Sequence, residues 1–135
     1  MTNNIEIKLI NKALILAATG IQQSDDDQGS SQINMLLNMI QSEPTDAGIA
    51  RLILFIYRQN GRKQKNTKVI SDAAKELLIN DIEWMRKKNN APKLIAKYLN
   101  YLKWSFDAVK SLNKNQKRKV AKSEEPLDML VGVSK

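Results

Sequence analysis

Residues 91–112 read APKLIAKYLNYLKWSFDAVKSL. Apolar side chains fall at Leu94, Ile95, Tyr98, Leu99, Leu102, Phe106, Val109 and Leu112, the three-and-four spacing of one face of an α-helix. Asn90 stands at the N-cap position and Pro92 in the first turn, where a missing N–H removes no intrahelical bond. Lys93, Lys97, Lys103 and Lys110 occupy the other side. The stretch predicts a helix with one buried face and one basic face. The sequence on either side has to supply the partners for the buried one.

Immediately upstream, Ile70, Ala73, Ala74, Leu77, Leu78, Ile82 and Met85 line the inner face of a helix that starts at Thr67 or Ser71 and runs to about Lys88. Arg86, Lys87 and Lys88 in its last turn suit the helix dipole. The short connection through Asn89–Pro92 makes the two helices an antiparallel hairpin. Further back, Leu52–Tyr57 is an unbroken apolar run, LILFIY, and Asn60-Gly61 is a good hairpin turn. The arm after that turn, Arg62–Lys68, has no alternating apolar face, whereas Ala47, Ala50 and Leu54 continue the run backwards at helical spacing. A helix over about 46–59, ended by a left-handed Gly61, is the better reading.

Two more helices precede it. Residues 4–19 place apolar groups along two lines, Ile7, Ile10, Leu14 and Ala17 beside Ile5, Leu9, Ala13 and Leu16, with Gly20 as the stop. Residues 32–42, capped by Ser30 or Ser31, carry Ile33, Leu36, Leu37 and Ile40 toward the core, with Met35 and Met39 as a second line. The loop between these helices holds Asp25, Asp26 and Asp27. It lacks the alternating acids, glycine and distal Glu of a calcium loop. After Leu112 the segment NKNQKRKVAKSEEP has no apolar period, and LDMLVGVSK is a short apolar patch. The expected architecture is an all-α, single-domain bundle of about five helices over 1–112, with the C-terminal hairpin as its spine. A basic, flexible tail follows over 113–135.

Composition narrows the chemistry. The chain of 135 residues has no Cys and no His, which removes disulfides, thiolate nucleophiles, imidazole bases and Cys/His zinc sites. Nucleophile-elbow and phosphate-loop motifs are absent. No catalytic residue, metal or cofactor is expected, and binding is favoured over catalysis. No apolar run reaches the length of a membrane span, and the start MTNNIEIKL does not read as a signal peptide. A soluble, cytoplasmic protein with no membrane partner is the expectation. The formal charge is +8, and it is uneven. Residues 1–50 hold two basic residues, Lys8 and Lys12, against six acidic ones; residues 51–135 hold twenty against eight. That asymmetry points to a polyanion-binding face on the C-terminal part.

Three clusters are candidates for that face. Arg58, Arg62, Lys63, Lys65 and Lys68 surround the Gly61 turn, next to the N-terminus of a following helix. Arg86, Lys87, Lys88, Lys93 and Lys97 meet at the hairpin turn. Lys114 to Lys122 form the third. Aromatic residues are few, and Trp84, Tyr98, Tyr101, Trp104 and Phe106 read mostly as core packing, Tyr101 and Trp104 being the exceptions best placed for base stacking. Sequence-tolerant contact with an RNA or single-stranded DNA backbone is the form of binding this pattern suits.

The order FIYRQNGRK (55–63), LLINDIEWMRKK (77–88) and YLNYLKWSFDAVK (98–110) resembles the small all-helical subunits of type III CRISPR effector complexes, over roughly residues 45–112. The resemblance implies a non-catalytic ribonucleoprotein subunit in antiviral defence, stacked along its complex. It would contact the guide–target backbone through Arg58, Arg62 and Lys63, with Arg86, Lys87 and Lys97 as further positions. Two other readings stand beside it. One is a helical protein-interaction module capable of self-association, favoured by the Met pair and the LDMLVGV segment. The other is a stand-alone DNA-binding protein of virus or plasmid type.

Overall fold

A computed structural model of the chain describes residues 2–21, 28–61 and 72–133. The described residues form seven helices and no strand: α1 (Thr2–Ile21), α2 (Gln28–Ser42), α3 (Asp46–Gly61), α4 (Asp72–Arg86), α5 (Ala91–Lys110), α6 (Lys114–Lys122) and α7 (Pro126–Val133). The protein is all-α. No described helix is long and apolar enough to cross a membrane.

The core follows the apolar periodicity. Ile95, Tyr98, Leu99, Leu102, Phe106 and Val109 are buried on α5, Leu112 is buried just past its end, and Leu94 is half-buried at its edge. They meet Leu9, Ala13, Leu16 and Ala17 of α1, Ile33, Leu36 and Ile40 of α2, and Ala74, Leu78, Ile82 and Met85 of α4 in one continuous cluster. Both apolar lines on α1 are buried, Leu9, Ala13 and Leu16 on one and Leu14 and Ala17 on the other, and of the two lines Ile7 is exposed. The α4–α5 connection is the tight turn expected, but α5 packs most extensively on α1 and then on α2, with α4 a lesser neighbour. The spine is therefore α1 with α5.

Several boundaries differ for local reasons. α2 begins at Gln28, ahead of both serines expected to cap it. Gly20 and Gly61 stay inside helices without adopting positive φ. Asn90 does precede α5, with Pro92 in the first turn, but its backbone is left-handed (φ 59°, ψ 37°) and its side chain makes no cap bond. Asn tolerates that region better than most residues with a Cβ, so it serves the turn and not the helix end. The Leu52–Tyr57 run is helical, as its backward extension indicates, although Leu54 is 70 % exposed. Thr45 starts α3: its hydroxyl accepts the Gly48 N–H at 3.1 Å. Gly48 is required by proximity, since a Cβ there would lie 1.9 Å from the Glu43 carbonyl oxygen.

The largest departure lies beyond Leu112. In place of a flexible arm, the chain forms α6 and α7, both packed on α1. Asn113 and Gln116 close a capping box over the start of α6, Val120 is fully buried, and Gln116 Nε2 donates to the Val133 carbonyl at 3.1 Å. The Leu127 N–H donates to Asn11 Oδ1 of α1 at 3.0 Å. Val120 and Pro126 are buried, Ala121, Met129, Leu130 and Val133 pack on the core beside them, and a few directed hydrogen bonds complete the attachment. The Asp25–Asp27 loop lies outside the described residues.

Candidate functional site

The turn over residues 87–90 reverses the chain between α4 and α5 in very few residues. The Lys88 N–H donates to the Met85 carbonyl and the Leu94 N–H to the Asn90 carbonyl, both at 3.0 Å. Left-handed Asn90 lies between the two bonds. This geometry brings Arg86, Lys87, Lys88 and Lys93 to one end of the helix pair. Arg86, Lys87 and Lys93 are exposed.

Their partners divide these cations. Arg86 Nη1 is 3.5 Å from Glu83 Oε1 one turn back, an exposed pair of the kind that contributes little in water. Lys88 is half-buried, with its ammonium 4.3 Å from the centre of the Trp84 ring. Lys97, farther along α5, lies 3.0 Å from Glu6 of α1. That contact holds the Glu6 carboxyl below its ordinary range and the Lys97 ammonium above its own. Lys87 and Lys93 make no ion pair or ring contact among the described residues. Lys87 and Lys93, together with the weakly paired Arg86, are therefore the cations of this cluster most available to an outside anion.

Behind the turn lies a polar group that the apolar pattern concealed. Asp81 is buried on α4 and accepts a 2.6 Å hydrogen bond from the fully buried hydroxyl of Tyr98 on α5. Lys12 of α1 approaches the same carboxylate at 3.7 Å and places its ammonium 4.7 Å from the centre of Trp84. Burial pushes the Asp81 carboxyl up to about 6, against the pull of the Tyr98 hydrogen bond and the Lys12 charge. The Tyr98 phenol is raised well above its ordinary value, first by burial and then by the Asp81 charge. It stays a neutral donor. The cluster ties α1, α4 and α5 together behind the basic turn, and Lys12 and Lys88 both contact Trp84.

Arg58 is exposed in the last turn of α3, where a cation suits the helix C-terminus. Arg62, Lys63, Lys65 and Lys68 lie outside the described residues. Trp104 is 61 % exposed and sits edge-on to Tyr101, ring centroids 5.7 Å apart, so of the aromatics it departs most from core packing. Among the described residues, the densest group of cations with no ion pair or ring contact is on α6, which sequence spacing left without a structure. Compared with known proteins, the chain matches no family model, no curated sequence and no solved structure.

Proposed function

We propose that this chain is a non-catalytic, nucleic-acid-backbone-binding small subunit of a CRISPR-type ribonucleoprotein complex in antiviral defence. The observation that carries the reading is the α4–α5 turn, where Arg86 at the end of α4, Lys87 in the turn and Lys93 in the first turn of α5 are all exposed. Cations held this way contact phosphates without side-chain or base specificity, and binding draws its free energy from counterion release. Sequence is then read by the guide RNA of the complex, and this chain lengthens the path along which the backbone is held. In this reading Arg58, Arg62, Lys63, Lys65 and Lys68 are further phosphate contacts, and Lys88 and Lys97 contribute beside Trp84 and Glu6. The test is purification of the tagged chain from cells that express it, at low salt. Co-purified RNA of defined length together with partner proteins is the expected result; a chain free of nucleic acid and of partners contradicts the assignment.

A protein-interaction module is the second reading. It is favoured by Leu54 and Tyr57, both exposed on α3, and by Met35 and Met39, which line an open groove with Arg51 and Glu43. Arg62→Glu with Lys63→Glu separates the two: the lead reading expects loss of nucleic-acid binding with partner association retained. The interaction module expects no change in either.

A further inference from the structure

α6 packs Lys114, Lys117, Arg118, Lys119 and Lys122 into nine residues with no acidic residue among them. Burial of Val120 fixes which way the helix faces. Lys114, Arg118 and Lys122, four residues apart, then form one ridge on the side turned away from Val120, with about 6 Å of rise between neighbours. All three are exposed. None of the five cations makes an ion pair or ring contact among the described residues.

Local energetics oppose this arrangement. Lys114 lies in the first turn, where the helix dipole disfavours a cation. Like charges three and four residues apart repel along the whole helix, and nine residues are too few to be helical alone. The helix is kept in place by the capping box, in which Gln116 N–H donates to Asn113 Oδ1 at 2.8 Å and Asn113 N–H to Gln116 Oε1 at 2.9 Å. The Gln116 contact with the Val133 carbonyl and the burial of Val120 complete the attachment. The fold thus holds in fixed positions a charge density that a bound polyanion would relieve.

We propose that the Lys114–Arg118–Lys122 ridge is a preformed binding surface for the phosphate backbone of nucleic acid, additional to the α4–α5 turn. The inference rests on reading the chain as a nucleic-acid binder and assigns that function a second place. An anionic bilayer fits less well: Val120 is buried and Ala121 half-buried against the bundle, which leaves α6 no apolar face to insert.

The experiment compares the full chain with Lys114→Gln/Arg118→Gln/Lys122→Gln and with Arg86→Gln/Lys87→Gln/Lys93→Gln. Each is titrated against labelled single-stranded RNA across a range of salt, with phosphatidylserine vesicles in parallel and a melting curve for each protein. The α6 variant is expected to melt at or above the wild-type temperature, because repulsion is removed. It should bind at least about tenfold more weakly at low salt, with the log–log salt slope reduced by about 2, as three lost single-strand contacts require. Wild-type affinity and slope in the α6 variant, with loss in the turn variant, overturn the α6 surface and leave the functional reading standing. A weaker α6 variant that keeps the wild-type slope, or melts lower, also overturns it. Absence of RNA binding by the wild type, whether or not vesicles bind, overturns both.

Discussion

The Tyr98 hydroxyl donates to the Asp81 carboxylate at 2.6 Å, joining α5 to α4 in the interior. A buried phenol needs an acceptor and a buried carboxylate needs a donor, so each satisfies the other's desolvation. Tyr98→Phe leaves the shape almost unchanged and strands Asp81 without its hydroxyl. Urea denaturation is expected to show a loss of roughly 1–3 kcal/mol. An unchanged midpoint would mean that water replaces the hydroxyl.

The same carboxylate makes stability depend on pH. Its value rises from 3.8 to about 6 on folding. Between those values the native protein keeps a proton that the unfolded chain has lost, so this group's contribution falls as pH rises through the window. Asp81→Asn retains an oxygen acceptor for Tyr98 and abolishes the titration. Between pH 4 and pH 7 the variant should gain on the wild type by up to about 3 kcal/mol. Parallel stability curves would contradict a raised Asp81.

Gly48→Ala tests the approach of α3 to the end of α2. Helix propensity alone favours alanine by about 1 kcal/mol. The added Cβ, however, would meet the Glu43 carbonyl oxygen at 1.9 Å, and backbone has to move. A net destabilisation of roughly 1–3 kcal/mol is expected in chemical denaturation. Stabilisation would show that the junction yields freely.

Much of this fold is legible because helical burial is periodic. The faces of α5 and α4 follow from their apolar steps, and the helical reading of Leu52–Tyr57 follows from Ala47 and Ala50 before it. What escapes is what a few contacts decide. Val120 and Ala121, adjacent in sequence, are the apolar residues of an otherwise polar helix, so α6 has no stripe to read, and its order depends on Gln116, Val133 and α1. Asp81 lies among the core positions of α4, and only its contact with Tyr98 shows what a buried carboxylate does there. Trp104, by contrast, is legible: its spacing sets it beside Tyr101 off the core stripe, and it is turned outward there. Of the candidate site, the clustering of cations is plain in the sequence. Their division into paired and unpaired is not, since Lys97 meets Glu6 across 91 positions of chain.

That pairing gives a further test. Glu6 holds Lys97 at 3.0 Å on an exposed surface. Glu6→Gln removes one negative charge and releases the ammonium toward solvent. If Lys97 belongs to the backbone-binding face, the variant should bind single-stranded RNA more tightly, by a fewfold at low salt, with the gain shrinking as salt screens it. Equal affinity at low salt would take Lys97 out of the interface.

The measurement that bears most directly on the central claim is fluorescence anisotropy of the unmodified protein with labelled single- and double-stranded RNA and DNA through a salt titration. The account predicts saturable, sequence-tolerant binding at low salt that weakens steeply and linearly on a log–log plot as salt rises. No binding to any of the four nucleic acids at low salt would contradict it.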